Sequence, residues 1–191
     1  RIGDVEHVVA VNDVPYGVGY FNSWYRNYNE VGGLFLQKAT HDFDYIFFLT
    51  GQKPKTISAM NSQRIYGNKN KPFDLLCKNC DEKMECVESP FNLFYKRFAG
   101  GKVEWNDWQK CVFSREIKNE DSGNALIELN NGVQVSYTQN FFVRNQKVAR
   151  RGARLYGYKG TIDFDWYRNT IIVYDHFTPI VETIEFTGDM P

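Results

Sequence analysis

The spacing of apolar positions changes twice along the chain. Residues 5 to 14, VEHVVAVNDV, are rich in Val and end in polar turn formers, which predicts a strand. Residues 33 to 49 step by three and four instead. Leu36, Ala39, Phe43, Ile46 and Phe47 mark one side, and Leu34, Lys38, His41 and Tyr45 another. That period predicts a helix, with Gly51 as its stop and Pro54 close behind. Between these elements, residues 15 to 31 mix Gly, Asn and Pro with Tyr and Trp. They read as a loop that is either packed or the rim of a ligand site. KTISAMNSQRIY, residues 55 to 66, reads as a second strand, and residues 67 to 110 as an irregular insertion. Within it a short helix is expected in SPFNLFYKRFAG and turns in GGKVEWNDWQK.

The last third is mostly strands. ALIELNNGVQVSYTQNFF sets Asn131 and Gly132 between two alternating runs, a strong hairpin signal. In RLYGYKGTIDFDWY, Ile162, Phe164 and Trp166 alternate with Asp163, Asp165 and Tyr167. IIVYDHF and VETIEFTG continue the pattern, with a second hairpin expected near Arg168 and Asn169. Gly157 and Gly160 are expected to serve a turn at positive φ. Tyr137, Gln139 and Phe141 share one strand face, which is expected to meet a second copy of the sheet. The sum is a single α+β domain over residues 1–191. It has two layers: a large, open, predominantly antiparallel sheet of six or so strands, and helices on one face. The other face is either solvated or covered by a partner, with a homo-oligomer through the sheet expected.

Composition narrows the function. Lys plus Arg and Asp plus Glu are 23 each, so no net field recruits nucleic acid or an anionic membrane. No apolar run is long enough to span a bilayer, and the first apolar run holds Glu6 and His7, unlike a secretion signal. A cytoplasmic setting is the expectation. Neither a G-x-G-x-x-G nor a G-x4-G-K-[ST] turn is present to cradle phosphates. Cys77, Cys80 and Cys86 form C-x2-C-x5-C, and Cys111 follows. Three readings stay open: a zinc site made by all four, buried free thiols, or a disulfide.

The candidate chemistry lies in GGLFLQKATHDFDYIFFLTG, residues 32 to 51. Gln37, Lys38 and His41 share one broad helix face. An imidazole is the natural proton carrier near neutral pH, an ammonium can hold a hydroxyl, and Asp44 can fix the imidazole tautomer. Together they suit removal of a proton from a substrate alcohol. The competing reading makes them the wet side of an amphipathic helix, with Asp42 paired to Lys38. Arg26 precedes Gly32 and Gly33 in the aromatic loop. It either grips a carboxylate, hydroxyls or a phosphate, or stacks at the surface on Trp24 or Tyr28. Arg150, Arg151 and Arg154 with Lys147 form a basic run, read as solvated surface or as a contact with a neighbouring domain.

These segments resemble one branch of the Gfo/Idh/MocA oxidoreductases. GGLFLQKATHDFDYIFFLTG is similar to its G-G-x5-K-x2-H-D-x-D segment, and VPYGVGYFNSWYRNYNEVGG to its W-x-R lead-in. CKNCDEKMECVESPFNLFY, KCVFS, ALIELNNGVQVSYTQNF and RRGARLYGYKGTIDFD follow in the same order as in that branch. The resemblance implies the family's C-terminal domain, with a dihydrodipicolinate-reductase-like fold. An N-terminal Rossmann domain, which binds NAD or NADP and carries an E-K-P lysine, would lie upstream of Arg1. The domain alone would bind no dinucleotide and transfer no hydride. The implied reaction is oxidation of a sugar or cyclitol hydroxyl. His41 and Lys38 are then catalytic, and Arg26, Gln37, Trp24 and Asp44 hold substrate. Gln37 stands where many members have Asp, which leaves open NAD-dependent glycoside cleavage. A binding or dimerisation module without catalysis is the third reading.

Overall fold

The computed structural model describes all residues except 68–69, 96–99, 101–104, 106–107 and 188–191. Alternating apolar residues build eight strands: β1 (Val5–Asp13), β2 (Pro54–Ser62), β3 (Ser122–Leu129), β4 (Gln134–Asn140), β5 (Arg151–Gly157), β6 (Gly160–Asp165), β7 (Thr170–Asp175) and β8 (Val181–Glu185). They form one sheet in the order β2-β3-β4-β1-β5-β6-β7-β8. Neighbours are antiparallel except β1 and β4, so the first strand in sequence lies inside the sheet. Three helices follow β1: α1 (Val18–Asn22), α2 (Tyr28–Val31) and α3 (Leu34–Thr50).

The period of the sequence explains the layers. Val8, Ala10, Val135, Tyr137, Ala153 and Leu155 project from one face of the sheet, where Ala39 and Ile46 of α3 pack on them. A second core closes one end of the sheet. Phe21, Tyr66, Phe113 and Phe141 meet there, with Phe21 and Tyr66 ring centroids 4.2 Å apart. Asp121 organises that end by accepting the backbone N–H groups of Arg64, Ile65 and Tyr66.

The expected architecture holds, with corrections in detail. Residues 15 to 31 are not merely loop, since they contain α1, α2 and a 3-10 turn at Trp24–Arg26. Both hairpins form: Gly132 takes φ 88° after β3, and Asn169 takes φ 51° after a 3-10 turn at Trp166–Arg168. Tyr137 and Gln139 do not face a second sheet. They are buried on the α3 side, and Phe141 belongs to the second core. Arg150 and Arg154 are not a free basic surface, because both clamp Asp163 of β6. Of the helix expected in SPFNLFYKRFAG, a π-helical turn at Phe91–Tyr95 is described, and residues 96–99 lie outside the described residues. Most of GGKVEWNDWQK lies outside them too.

Gly157 and Gly160 do not take positive φ. Their lack of a side chain serves close approach instead. A Cβ on Gly157 would stand 2.2 Å from the Ile2 carbonyl oxygen, and one on Gly160 would stand 2.5 Å from that of Tyr174. Gly19 in α1 has open space around it. Gly157→Ala should therefore destabilise the domain by about 1–3 kcal/mol. Gly19→Ala should stabilise it by about 0.4–1 kcal/mol. Urea midpoints at constant m-value check both signs.

Candidate functional site

The site is built outward from α3. Gly32 ends α2 at φ 69°, a left-handed stop. Gly33, at φ 103°, opens space for Glu120: a Cβ there would lie 3.0 Å from both carboxylate oxygens. Glu120 is thereby free to accept the backbone N–H of Phe35, one of the unpaired donors in the first turn of α3.

Two turns further in, Asp42 points straight at the sheet and is 0% exposed. Its Oδ2 accepts from Asn12 Nδ2 at 2.6 Å and from the Tyr137 hydroxyl at 2.7 Å. Its Oδ1 accepts from Arg151 Nε at 3.0 Å and Nη2 at 2.8 Å. Three different strands, β1, β4 and β5, thus hold one carboxylate on α3. Burial, then the Asp42 charge, pushes the Tyr137 hydroxyl far above its ordinary pKa, so it remains a donor. Burial opposes the charge on Arg151, but Asp42 outweighs it and leaves the guanidinium pKa raised. Trp166 covers the outer side of that guanidinium, 5.1 Å from its ring centroid. The expected pairing of Asp42 with Lys38 is therefore corrected. The sequence did carry a signal: Asp42 lies three residues after Ala39 and four before Ile46, within the buried stripe.

Fixing Asp42 inward turns His41 outward. His41 is exposed, and Asp44 is exposed beside half-buried Gln37 on the same outer face. No hydrogen bond joins His41 to Asp44 or Gln37 among the described residues. Phe48 extends this face and is 82% exposed, an apolar group flanking the imidazole's side of the helix. Lys38 lies to one side, its Nζ 4.9 Å from the Tyr20 ring centroid and 5.6 Å from that of Tyr16. The two rings hold the ammonium by their negative faces and leave its protons available.

Arg26 is only 6% exposed and forms an ion pair with Glu116. Burial lowers its pKa, and the Glu116 charge opposes that shift. It is neither a free hand for ligand nor a surface residue stacked on Trp24 or Tyr28. Trp24 stacks on Tyr25 instead, with centroids 3.9 Å apart. Arg26 and Glu116 both line a cleft of about 550 Å³ between the α2 segment and residues 110–118.

The four cysteines are free thiols, which removes the disulfide reading. Cys77, Cys80 and Cys111 are buried and Cys86 is partly so. Burial, followed by the charges of Cys111, Cys86 and Cys80, pushes the Cys77 thiol up to about 12. Among the described residues, no group of three or more His, Cys, Asp and Glu side chains is arranged to hold a metal ion. The zinc expectation therefore finds no support in the geometry. Among the described residues, no helix is long and apolar enough to cross a membrane.

Residues 1–163 match the GFO/IDH/MocA C-terminal domain family. Over 161 residues the chain is 25% identical to the putative oxidoreductase YteT of Bacillus subtilis (strain 168), covering 71% of this chain and 37% of that protein. Its fold is similar to levoglucosan dehydrogenase, with a TM-score of 0.62 and 16% identity over 97% of this chain and 42% of that one. It is also similar to UDP-N-acetylglucosamine 3-dehydrogenase GnnA from Acidithiobacillus ferrooxidans, with a TM-score of 0.56 and 13% identity over 99% of this chain and 41% of that one. The chain thus spans about two fifths of the length of these relatives.

Asp42→Ala should cost about 3–5 kcal/mol, because it takes the counterion from the partly buried Arg151 and leaves the Asn12 and Tyr137 donors without their acceptor. Asp44→Ala, on the exposed face, should change stability by less than about 0.5 kcal/mol. Chemical denaturation of the two variants measures the contrast.

Proposed function

Given that the chain belongs to the GFO/IDH/MocA C-terminal domain family, we propose that it forms the substrate-side domain of an NAD(P)-dependent oxidoreductase acting on a hydroxyl of a sugar or cyclitol. The observation that carries this reading is the exposed His41 on a helix whose orientation is locked by the buried Asp42 beside it. Two structures of similar fold are named for sugar dehydrogenases, which supports the substrate class.

In this reading a separate N-terminal domain would hold NAD or NADP, which would supply the hydride acceptor for a carbinol carbon. The residues of this chain do the rest. The imidazole of His41 takes the hydroxyl proton as the alcohol becomes a carbonyl. Lys38, steadied by Tyr16 and Tyr20, donates to a substrate oxygen. Gln37 offers an amide to an adjacent hydroxyl, and the exposed Phe48 gives the bound dinucleotide domain or substrate an apolar neighbour. Arg26 acts indirectly by shaping the cleft wall with Glu116. The open sheet face, where Val9 and Leu126 are exposed, is the surface for homo-oligomer formation. Buried free thiols fit a reducing, cytoplasmic setting.

Replacing His41 by Ala in the full-length protein should lower kcat about 10²–10⁴-fold. The far-ultraviolet spectrum and urea midpoint should hardly move, since the side chain is exposed. Steady-state NAD(P)H formation across pH is the measurement. An unchanged kcat with an unchanged pH profile would remove His41 from the chemistry.

A further inference from the structure

The cleft beside Arg26 contains more than a wall. Four cations and two carboxylates line it: Arg26, Lys110, Arg115, Lys118, Asp74 and Glu116. Arg26 is neutralised by Glu116 and Lys110 by Asp74. Arg115 and Lys118 are exposed, and neither has an ion-pair partner among the described residues. The cleft therefore presents two uncompensated positive charges, although the chain as a whole has none to spare.

Two aromatic rings open onto the same space. Tyr28 is 45% exposed and Phe73 is 66% exposed, and both line the cleft. Unlike the packed rings of the second core, these are exposed to solvent. An aromatic face is electron-rich and attracts the polarised C–H bonds on one side of a pyranose ring. Asn29 lines the cleft as well and can meet a ring hydroxyl with its amide group, while the Asn27 amide is taken up capping α2. Beneath them, the Arg26 Nε and Nη1 and the Glu116 Oε2 are buried without hydrogen-bond partners, so the floor retains unmet polar capacity. The cleft volume of about 550 Å³ falls within the roughly 300–1,000 Å³ common for small-molecule sites.

We infer that this cleft binds an acidic sugar ring, with Tyr28 and Phe73 against its C–H face and Arg115 and Lys118 on its carboxylate. A bare inorganic anion would use the cations and have no need of the rings. A neutral sugar would use the rings and leave the cations idle. A sugar ring that itself carries an anionic group engages both sets, and a uronate carboxylate is the simplest such group. The inference rests on the sugar-oxidoreductase reading and narrows it. Tyr28 lies against Gly33 at the start of α3, and His41 is two turns on, roughly 10 Å along the axis. One pyranose ring does not span that distance, so the ring held in the cleft is a different unit of the substrate from the one oxidised at His41, and its carboxylate acts on binding and specificity.

The test is a calorimetric or NMR titration of the protein with D-glucuronate, D-glucose and inorganic sulfate. Glucuronate should bind at least about tenfold more tightly than glucose, and the preference should shrink with added salt. Arg115→Ser with Lys118→Ser should abolish that preference, and Tyr28→Ala should weaken both sugars while leaving sulfate alone. All three positions are exposed, so folding is retained. Equal binding of glucose and glucuronate would overturn the inference. So would sulfate binding as tight as glucuronate with no effect of Tyr28→Ala. The two readings fail separately. Preferential glucuronate binding without NAD(P)H formation from any sugar upholds the cleft and sinks the dehydrogenase. Turnover of neutral sugars with no acidic preference does the reverse.

Discussion

A single buried carboxylate fixes the geometry on which the rest depends. Asp42 is held by Asn12 from β1, Tyr137 from β4 and Arg151 from β5. A buried ion pair is not by itself strong ground for stability, because both charges lose their hydration. What this one provides is orientation. Apolar packing through Ala39 and Ile46 would tolerate some rotation of the helix about its axis. A carboxylate with four donors converging on it tolerates very little. Because His41 immediately precedes it on the same helix, its direction follows from that of Asp42.

The same economy runs through the surrounding loop. Gly32 and Gly33 are adjacent yet do different work. The first lets α2 stop in a left-handed turn, and the second makes room for Glu120 to reach the start of α3. Arg26 and Glu116 then join the turn before α2 to the segment after Cys111. The helix bearing the imidazole and the cleft bearing the cations are therefore parts of one connected frame. Specificity and chemistry would both depend on it.

Much of this was legible in the sequence where periodicity and turn chemistry are local. The Val-rich first strand, the helix with its Gly51 stop and the Asn131–Gly132 hairpin lie where pattern puts them. The dispositions of His41, Gln37 and Asp44 on one outer face also follow from helical spacing. What was not legible depended on distant partners. Helical spacing puts Asp42 in the buried stripe, but nothing local names its partner, Arg151, 109 positions away. Arg26 looks like a ligand-gripping group until Glu116, 90 positions away, takes it. Gly157 and Gly160 read as turn glycines because no local signal reveals a carbonyl oxygen of another segment pressing on them. The side that Tyr137 faces is hidden for a related reason: strand alternation gives two faces but does not say which one a helix covers.

The most direct measurement of this account is a double-mutant cycle on Asp42 and Arg151, comparing Asp42→Ala, Arg151→Met and the combined variant by urea unfolding. A buried, hydrogen-bonded pair that fixes the helix should show a coupling of about 2 kcal/mol or more, with the double variant more stable than the sum of the single losses predicts. Losses that simply add, to within about 0.5 kcal/mol, would mean that the two groups do not act as a pair and that something else sets the direction of His41.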